Sequence, residues 1–331
     1  MESKYRNRTD SENFWKVEAG YTDFWDTYVA TRPNYSSAFY DLIYKHHAAH
    51  SSSYDLAHDV GAGAGQVAAE LASHFSHVVA SDNDEDHLTV AKRRLAPNFD
   101  ASRISYIHSG GEDLVNKIPA GSVDMIAAAE AIVLMDPNDG LHSFAKILKP
   151  GGTLATWFYG RPTFADPELL AKGQPILDRI MVRLWSKVIR PSGPKRRWGF
   201  KRCADSMESW LDYVSFPADT WKDVQRFKWN THGTLPFFGK EACGWDIEPV
   251  SNIAEGENVI IQEDPEFWAN EWDVAALKSY FAVLFPDFKE ATGEGDAEID
   301  GLFDDLTEII GGEDVVRRFT WPCSLLLATR R

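Results

Sequence analysis

Three glycines and a carboxylate within residues 54–70, YDLAHDVGAGAGQVAAE, are the first groups whose types and spacing could do chemistry. An apolar run leads to Asp59, and Gly61, Gly63 and Gly65 follow at alternate positions. Bare backbone in such a turn can close on a ligand because no Cβ intervenes, and glycine accepts the positive φ that the turn needs. A dinucleotide turn would have its third glycine at Gln66, and no Gly-Lys-Ser/Thr follows as in a phosphate-binding loop. The GxGxG spacing therefore favours a nucleoside ligand without a pyrophosphate. A second carboxylate, Asp82, stands just past the apolar run Val78, Val79 and Ala80, where its two oxygens can accept both hydroxyls of a ribose. Glu112 and Asp113 follow a third such run, where a carboxylate could accept from an adenine amino group.

For these groups to converge, they must lie at the carboxyl ends of neighbouring parallel strands. The sequence predicts strands before Gly61, at 78–80, 104–110, 123–128 and 153–159, with helices between them and a turn at Lys149-Pro150-Gly151-Gly152. This alternation implies a parallel sheet with right-handed crossovers. Ahead of it, residues 1–12 read as frayed. Phe14, Trp15, Val17, Tyr21, Phe24, Trp25 and Tyr28 then recur at helical spacing as a lid that Pro33 ends. Ser36 and Ser37 offer caps for a further helix. Residues 46–53, HHAAHSSS, read as a polar connection, with His46, His47 and His50 at a surface helix end rather than in a metal site.

The whole chain sets outer bounds. Its 331 residues can bury one large core or a core with a cap, and 44% hydrophobic with 25% charged residues places it among soluble globular proteins. No apolar run approaches the roughly 20 residues of a membrane span, and the polar N-terminus lacks a signal-peptide core. Three widely spaced cysteines (Cys203, Cys243, Cys323) make neither a disulfide framework nor a zinc pattern, so a cytoplasmic setting is expected. A net charge of -16 argues against a nucleic-acid surface.

Taken in order, DVGAGAG, the acid in ASDND, GGEDL, VDMIAAAEA and LKPGGTLA resemble the signature of a class I S-adenosylmethionine (SAM)-dependent methyltransferase. The resemblance covers about residues 21–160. YVATRPNYSSAFYDLI and ATWFYGRPTF further resemble the trans-aconitate methyltransferase-like branch of small-molecule enzymes. The resemblance implies an α/β fold with a Rossmann-like seven-stranded sheet, mostly parallel with strand 7 antiparallel, under a mainly helical cap. It implies a flexible N-terminus (1–20), a helical lid (21–53), a SAM-binding core (54–163), a helical cap (164–220) and the end of the sheet with inserted cap helices (221–331). Gly61, Gly63 and Gly65, with Asp59 below them, would line the methionine part of SAM. Asp82 and Asn83 would take the ribose, Asp113 and the Glu112 backbone the adenine edge, and Ala129 and Glu130 the sulfonium side. Tyr28 and Arg32 match the family's Y…SRP stretch, and a guanidinium fork suits the SAM carboxylate.

The chain departs from the family at Glu130-Ala131-Ile132-Val133-Leu134-Met135, where the family commonly carries a histidine and two aromatics. That change leaves the SAM site intact and points to a more apolar acceptor than trans-aconitate. Tyr21, Trp25, Val133, Trp157, Tyr159 and Trp185 are the expected acceptor-side residues, with Trp198, Trp229, Trp268 and Trp272 as further cap residues. The predicted function is methyl transfer to O or S of a small, fairly apolar molecule by a monomer or homodimer. The alternatives are a SAM-binding protein without transfer and a SAM-assisted cyclase. No catalytic base is assigned: His142, Tyr159 and His232 are only candidates.

The remaining half predicts a helix over 167–189, a solvated basic loop over Arg190–Arg202, strand six at 221–229, helices around 274–284 and 299–310, and strand seven at 317–329.

Overall fold

Strands and helices alternate along the first half of the chain as their apolar patterns require. In the computed structural model, residues 15, 17–231, 235, 239–285, 288 and 296–331 are described. The strands are β1 (Leu56–Val60), β2 (His77–Asp82), β3 (Ile104–His108), β4 (Val123–Ala129), β5 (Leu148–Tyr159), β6 (Thr163–Phe164), β7 (Trp221–Trp229), β8 (Asn258–Gln262), β9 (Asn270–Trp272), β10 (Arg317–Thr320) and β11 (Cys323–Arg330). Eight of them form one sheet in the order β3-β2-β1-β4-β5-β11-β7-β8. Only β11 runs against its neighbours β5 and β7. The sheet is thus Rossmann-like and mostly parallel as expected, with β8 added to the edge of β7 as an eighth strand.

The sequence places one final strand over 317–329, with Pro322 suggesting a bulge or sheet edge. Instead β10 pairs with β6 and β9 in a separate three-stranded sheet, and only β11 joins the main one. Pro322 lies at the break. It has no N–H to give to a ladder, and its carbonyl accepts from Gly160 N at 2.8 Å.

Helices α1 (Thr22–Thr31), α2 (Ser37–His50), α3 (Gln66–His74), α4 (Glu85–Leu95) and α5 (Pro137–Ile147) precede or alternate with the first five strands. Ser36 caps α2 by accepting from Phe39 N, Asp84 caps α4, and Asp136 caps α5 with Pro137 in the first turn. Beyond β6 come α6 (Pro167–Lys172), α7 (Gln174–Ile189), α8 (Pro194–Glu208), α9 (Lys240–Cys243), α10 (Val274–Ala282) and α11 (Ala297–Ile310). The single helix expected over 167–189 is split at Gly173. Leu177, Ile180, Met181, Leu184, Trp185 and Val188 form the buried stripe of α7, at the spacing of an amphipathic helix.

Two readings need correction. His46 and His47 do not end a surface helix. They sit on the inner face of α2, both buried, where His46 Nε2 meets Thr329 Oγ1 and His47 Nδ1 meets Thr153 Oγ1, each at 2.9 Å. Burial, with His50 adding to it, holds the His46 imidazole down to about 4, so it bonds the sheet as a neutral ring. The basic stretch is likewise not a solvated loop, because residues 194–208 are helical. Arg202 points inward and donates to Leu134 O (2.7 Å) and Met135 O (2.6 Å), while the Arg196 guanidinium lies 5.6 Å from the Phe200 ring centre.

Candidate active site

A cavity of about 560 Å³ opens at the carboxyl ends of β1, β2, β4 and β5, within the size range of small-molecule sites. The strand-end wall carries glycines and most of the polar residues. It includes Gly61 and Gly63, then Asp82 and Asn83, Ser109 to Asp113, Ala129 to Ala131, and Phe158 to Arg161. The opposite wall comes from the cap and is apolar: Met181, Trp185, Phe200, Cys203, Met207, Leu284 and Phe285, with Val133 and Leu134 beneath. Tyr28, Arg32, Tyr159 and Tyr280 line the space as well.

The glycine turn explains its own sequence. Gly61 has φ 71°, and a Cβ there would stand 2.7 Å from Ala131 Cβ, so the turn and the loop after β4 can approach only without it. Gly65 has φ 80° at the start of α3, and a Cβ would meet Leu95 Cδ1 at 2.8 Å. Gly65 therefore packs α3 against α4 and does not line the cavity, whereas beside Gly63 the space is open.

Asp82 ties this turn to the next loop. Its Oδ2 accepts from Gly63 N at 2.9 Å, and its Oδ1 accepts from Asp84 N at 3.0 Å and approaches His87 Nδ1 at 3.2 Å. Trp15 and Trp25 pack edge-on against the His87 ring, each 5.2 Å away. Glu112 Oε1 accepts from Asp136 N at 3.0 Å, which ties the loop after β3 to the start of α5. Arg32 donates to Leu284 O at 2.9 Å and Tyr159 Oη at 3.3 Å, and its guanidinium lies 4.5 Å from the Tyr28 ring centre. The buried Nε of Arg32 has no hydrogen-bond partner among the described residues.

Asp59 lies beneath the turn, buried, with Oδ2 unpaired among the described residues. Burial pushes its carboxyl up to about 7; the Ala68 N–H works the other way, and the Asp82 charge adds to the rise. A folded-state value above that of the unfolded chain stabilises the protein at low pH, and this contribution is lost as pH rises from about 4 to about 7. Asp59→Asn should therefore raise the unfolding free energy at pH 8 by about 1–3 kcal/mol. The gain should fade towards pH 4, as checked by urea titrations at the two pH values.

Several expected site residues are not brought to the cavity. Tyr21 is 62% exposed ahead of α1. Trp25 is fully buried in a separate cluster with Val17, Ala64 and Val90, so it braces the wall from behind. Trp157 is also fully buried, covered by Tyr35 and Phe39. Trp198 is exposed, Trp229 stacks on Phe267, Trp268 packs against Phe39, and Trp272 packs against Trp321. His142 faces outward on α5, and His232 lies outside the described residues.

The structure adds residues that the sequence reading missed. Arg161 and Phe158 stand at the tip of β5, a position that the strand-end rule already marks. Arg161 forms an ion pair with Asp178, its Nη2 lying 3.0 Å from Oδ2. Met181, Phe200, Cys203, Tyr280, Leu284 and Phe285 arrive from distant cap segments with no local motif.

A family model described as a methyltransferase domain matches residues 58–156. The chain is similar to Methyltransferase pgmE of Aspergillus terreus, 42% identical over 328 residues and 98% of both chains. It is similar to Methyltransferase cfoB of Aspergillus candidus, 40% identical over 93% of this chain and 95% of the relative. It is also similar to Methyltransferase ptaI of Pestalotiopsis fici, 35% identical over 96% and 98%. Among solved structures, one described as a candidate Type II methyltransferase from Anaeromyxobacter dehalogenans superposes with a TM-score of 0.54 at 20% identity. It covers 90% of this chain and 97% of the other, and shares the fold. With the glycine turn, the strand-end acids and the eight-stranded sheet all in place, the chain belongs to the methyltransferase family and is a SAM-dependent methyltransferase.

Proposed function

We propose that this enzyme transfers the SAM methyl group to oxygen or sulfur of a small, apolar molecule. The observation that carries this reading is one cavity with two unlike walls, glycines and acids at the strand ends and apolar side chains from the cap. The residues fit SAM. Gly63 leaves open space beside the turn, and Arg32 presents a buried N–H without a partner among the described residues. Gly61 and Gly63 would hold the methionine part, Asp82 the ribose diol, Asp113 with the Glu112 backbone the adenine edge, and Ala129 the sulfonium side. Arg32, beside Tyr28, would pair with the SAM carboxylate.

When bound, SAM supplies an electrophilic methyl on a good leaving group. What remains for the protein is to orient an acceptor in line with that methyl and to exclude water. Trp185, Phe200 and Phe285 form a mutually packed aromatic wall, with the tilted Trp185 and Phe285 ring centres 5.0 Å apart. Val133 and Leu134 supply the aliphatic floor, and Tyr159 stands at the junction of the walls. Such a lining favours an apolar acceptor over a tricarboxylate.

Calorimetric titration with S-adenosylhomocysteine tests the cofactor half of this reading, and labelled SAM with a panel of phenols, thiols and carboxylic acids tests the acceptor half. Binding with label transfer to apolar members is the expected result. Failure to bind S-adenosylhomocysteine would overturn the reading, and binding without any transfer would favour a SAM-binding protein that does no chemistry.

A further inference from the structure

Glu130 stands where the two walls meet. It is the first residue beyond β4, and its backbone takes φ 56°, a left-handed conformation that the surroundings must hold in a residue other than glycine. Two hydrogen bonds do so. Glu130 N donates to Trp157 O at 2.9 Å, and Glu130 Oε1 accepts from Tyr159 N at 2.7 Å. Its other oxygen takes no hydrogen bond among the described residues, and the residue lines the cavity next to Ala129. The titratable groups around it are Arg32, Tyr28, Tyr35, Tyr159, Tyr280 and Cys323, of which Arg32 is the cation. Burial pushes the Glu130 carboxyl up to about 8, against the Tyr159 N–H and the Arg32 charge, which pull it down. A base serves best when its own proton affinity is near the working pH.

We infer that Glu130 is the general base of this enzyme and that the acceptor is a neutral hydroxyl, an inference that rests on the methyl-transfer reading above. Glu130 Oε2 takes the hydroxyl proton while the acceptor oxygen bonds to the methyl carbon and the sulfur–methyl bond breaks. The sulfonium charge is discharged as the thioether leaves, and Glu130 ends neutral. Thiols that ionise without help need no such base.

The test compares wild type and Glu130→Gln with labelled SAM and two matched acceptors, 4-butylphenol and 4-butylthiophenol. Glutamine can still accept from Tyr159 N, and S-adenosylhomocysteine calorimetry reports whether the site is intact. The expected result is a loss of about 100-fold or more in kcat on the phenol, under about tenfold on the thiol, and an S-adenosylhomocysteine affinity within about fivefold of wild type. The wild-type rate on the phenol should rise with pH through one ionisation that Glu130→Gln lacks. Equal losses on both acceptors would assign Glu130 a role through charge or shape and overturn the inference. So would an unchanged rate on the phenol, or a wild type that methylates the thiol alone or neither probe. Failure of the wild type to bind S-adenosylhomocysteine would instead fall on the function proposed above.

Discussion

Asp82→Ala should weaken S-adenosylhomocysteine binding by about 10- to 150-fold, the equivalent of losing about 1.5–3 kcal/mol of charged hydrogen bonding. Two effects add. The ribose would lose its acceptor, and the turn would lose the carboxylate that Gly63 N, Asp84 N and His87 Nδ1 share. Asp82→Asn keeps one acceptor oxygen and the side-chain shape, so its affinity should fall between wild type and Asp82→Ala. Calorimetry on the three proteins, with thermal unfolding of each without ligand, separates the two effects. An affinity unchanged in Asp82→Ala would remove this residue from the ligand site.

The largest effect on stability is expected far from the cavity, at Arg226 in β7. Its side chain is 0% exposed and pairs through Nε with Glu257, whose side chain is 5% exposed. Its Nη1 donates to Leu211 O at 3.2 Å and its Nη2 to Val214 O at 2.7 Å. Arg226→Ala would leave a buried carboxylate and two backbone carbonyls without these donors, so it should destabilise by about 3–5 kcal/mol. The double variant Arg226→Met with Glu257→Leu should regain part of that loss, because the orphaned charge is gone while the carbonyls still lack a partner. Arg318, paired with Glu266 but 45% exposed, is the control, and Arg318→Ala should cost under about 1 kcal/mol. Denaturant titrations give all three values. A loss in Arg226→Ala no larger than in Arg318→Ala would mean that the buried pair contributes nothing beyond a surface one.

The strand-end side of the site was legible because its signals are local. A glycine turn that ends one apolar strand and an acid that follows another are set by neighbours a few residues away or by the regular βα repeat. Asp82, Asn83, Glu112, Asp113, Ala129 and Glu130 all came to the cavity from such signals. The aromatic residues misled because ring content does not say which way a ring faces. Trp25 and Trp157 fill core, while Trp185, on the same kind of evidence from helical spacing, lines the cavity. His46 and His47 read as polar surface, although a neutral imidazole with a threonine partner is as buriable as an aromatic ring.

By itself, then, the sequence determined the parallel α/β core, the glycine turn and the acids that line the cavity at the strand ends, because short-range spacing and the right-handed crossover leave few other arrangements. Only the tertiary structure decided the apolar wall of the cavity. Arg202, Cys203 and Tyr213 cap the carbonyls of residues 132–135 from the cap, and Leu284 and Phe285 close the far side. Those contacts join segments about 70 to 150 residues apart, and no local periodicity records which distant side chain meets a given carbonyl.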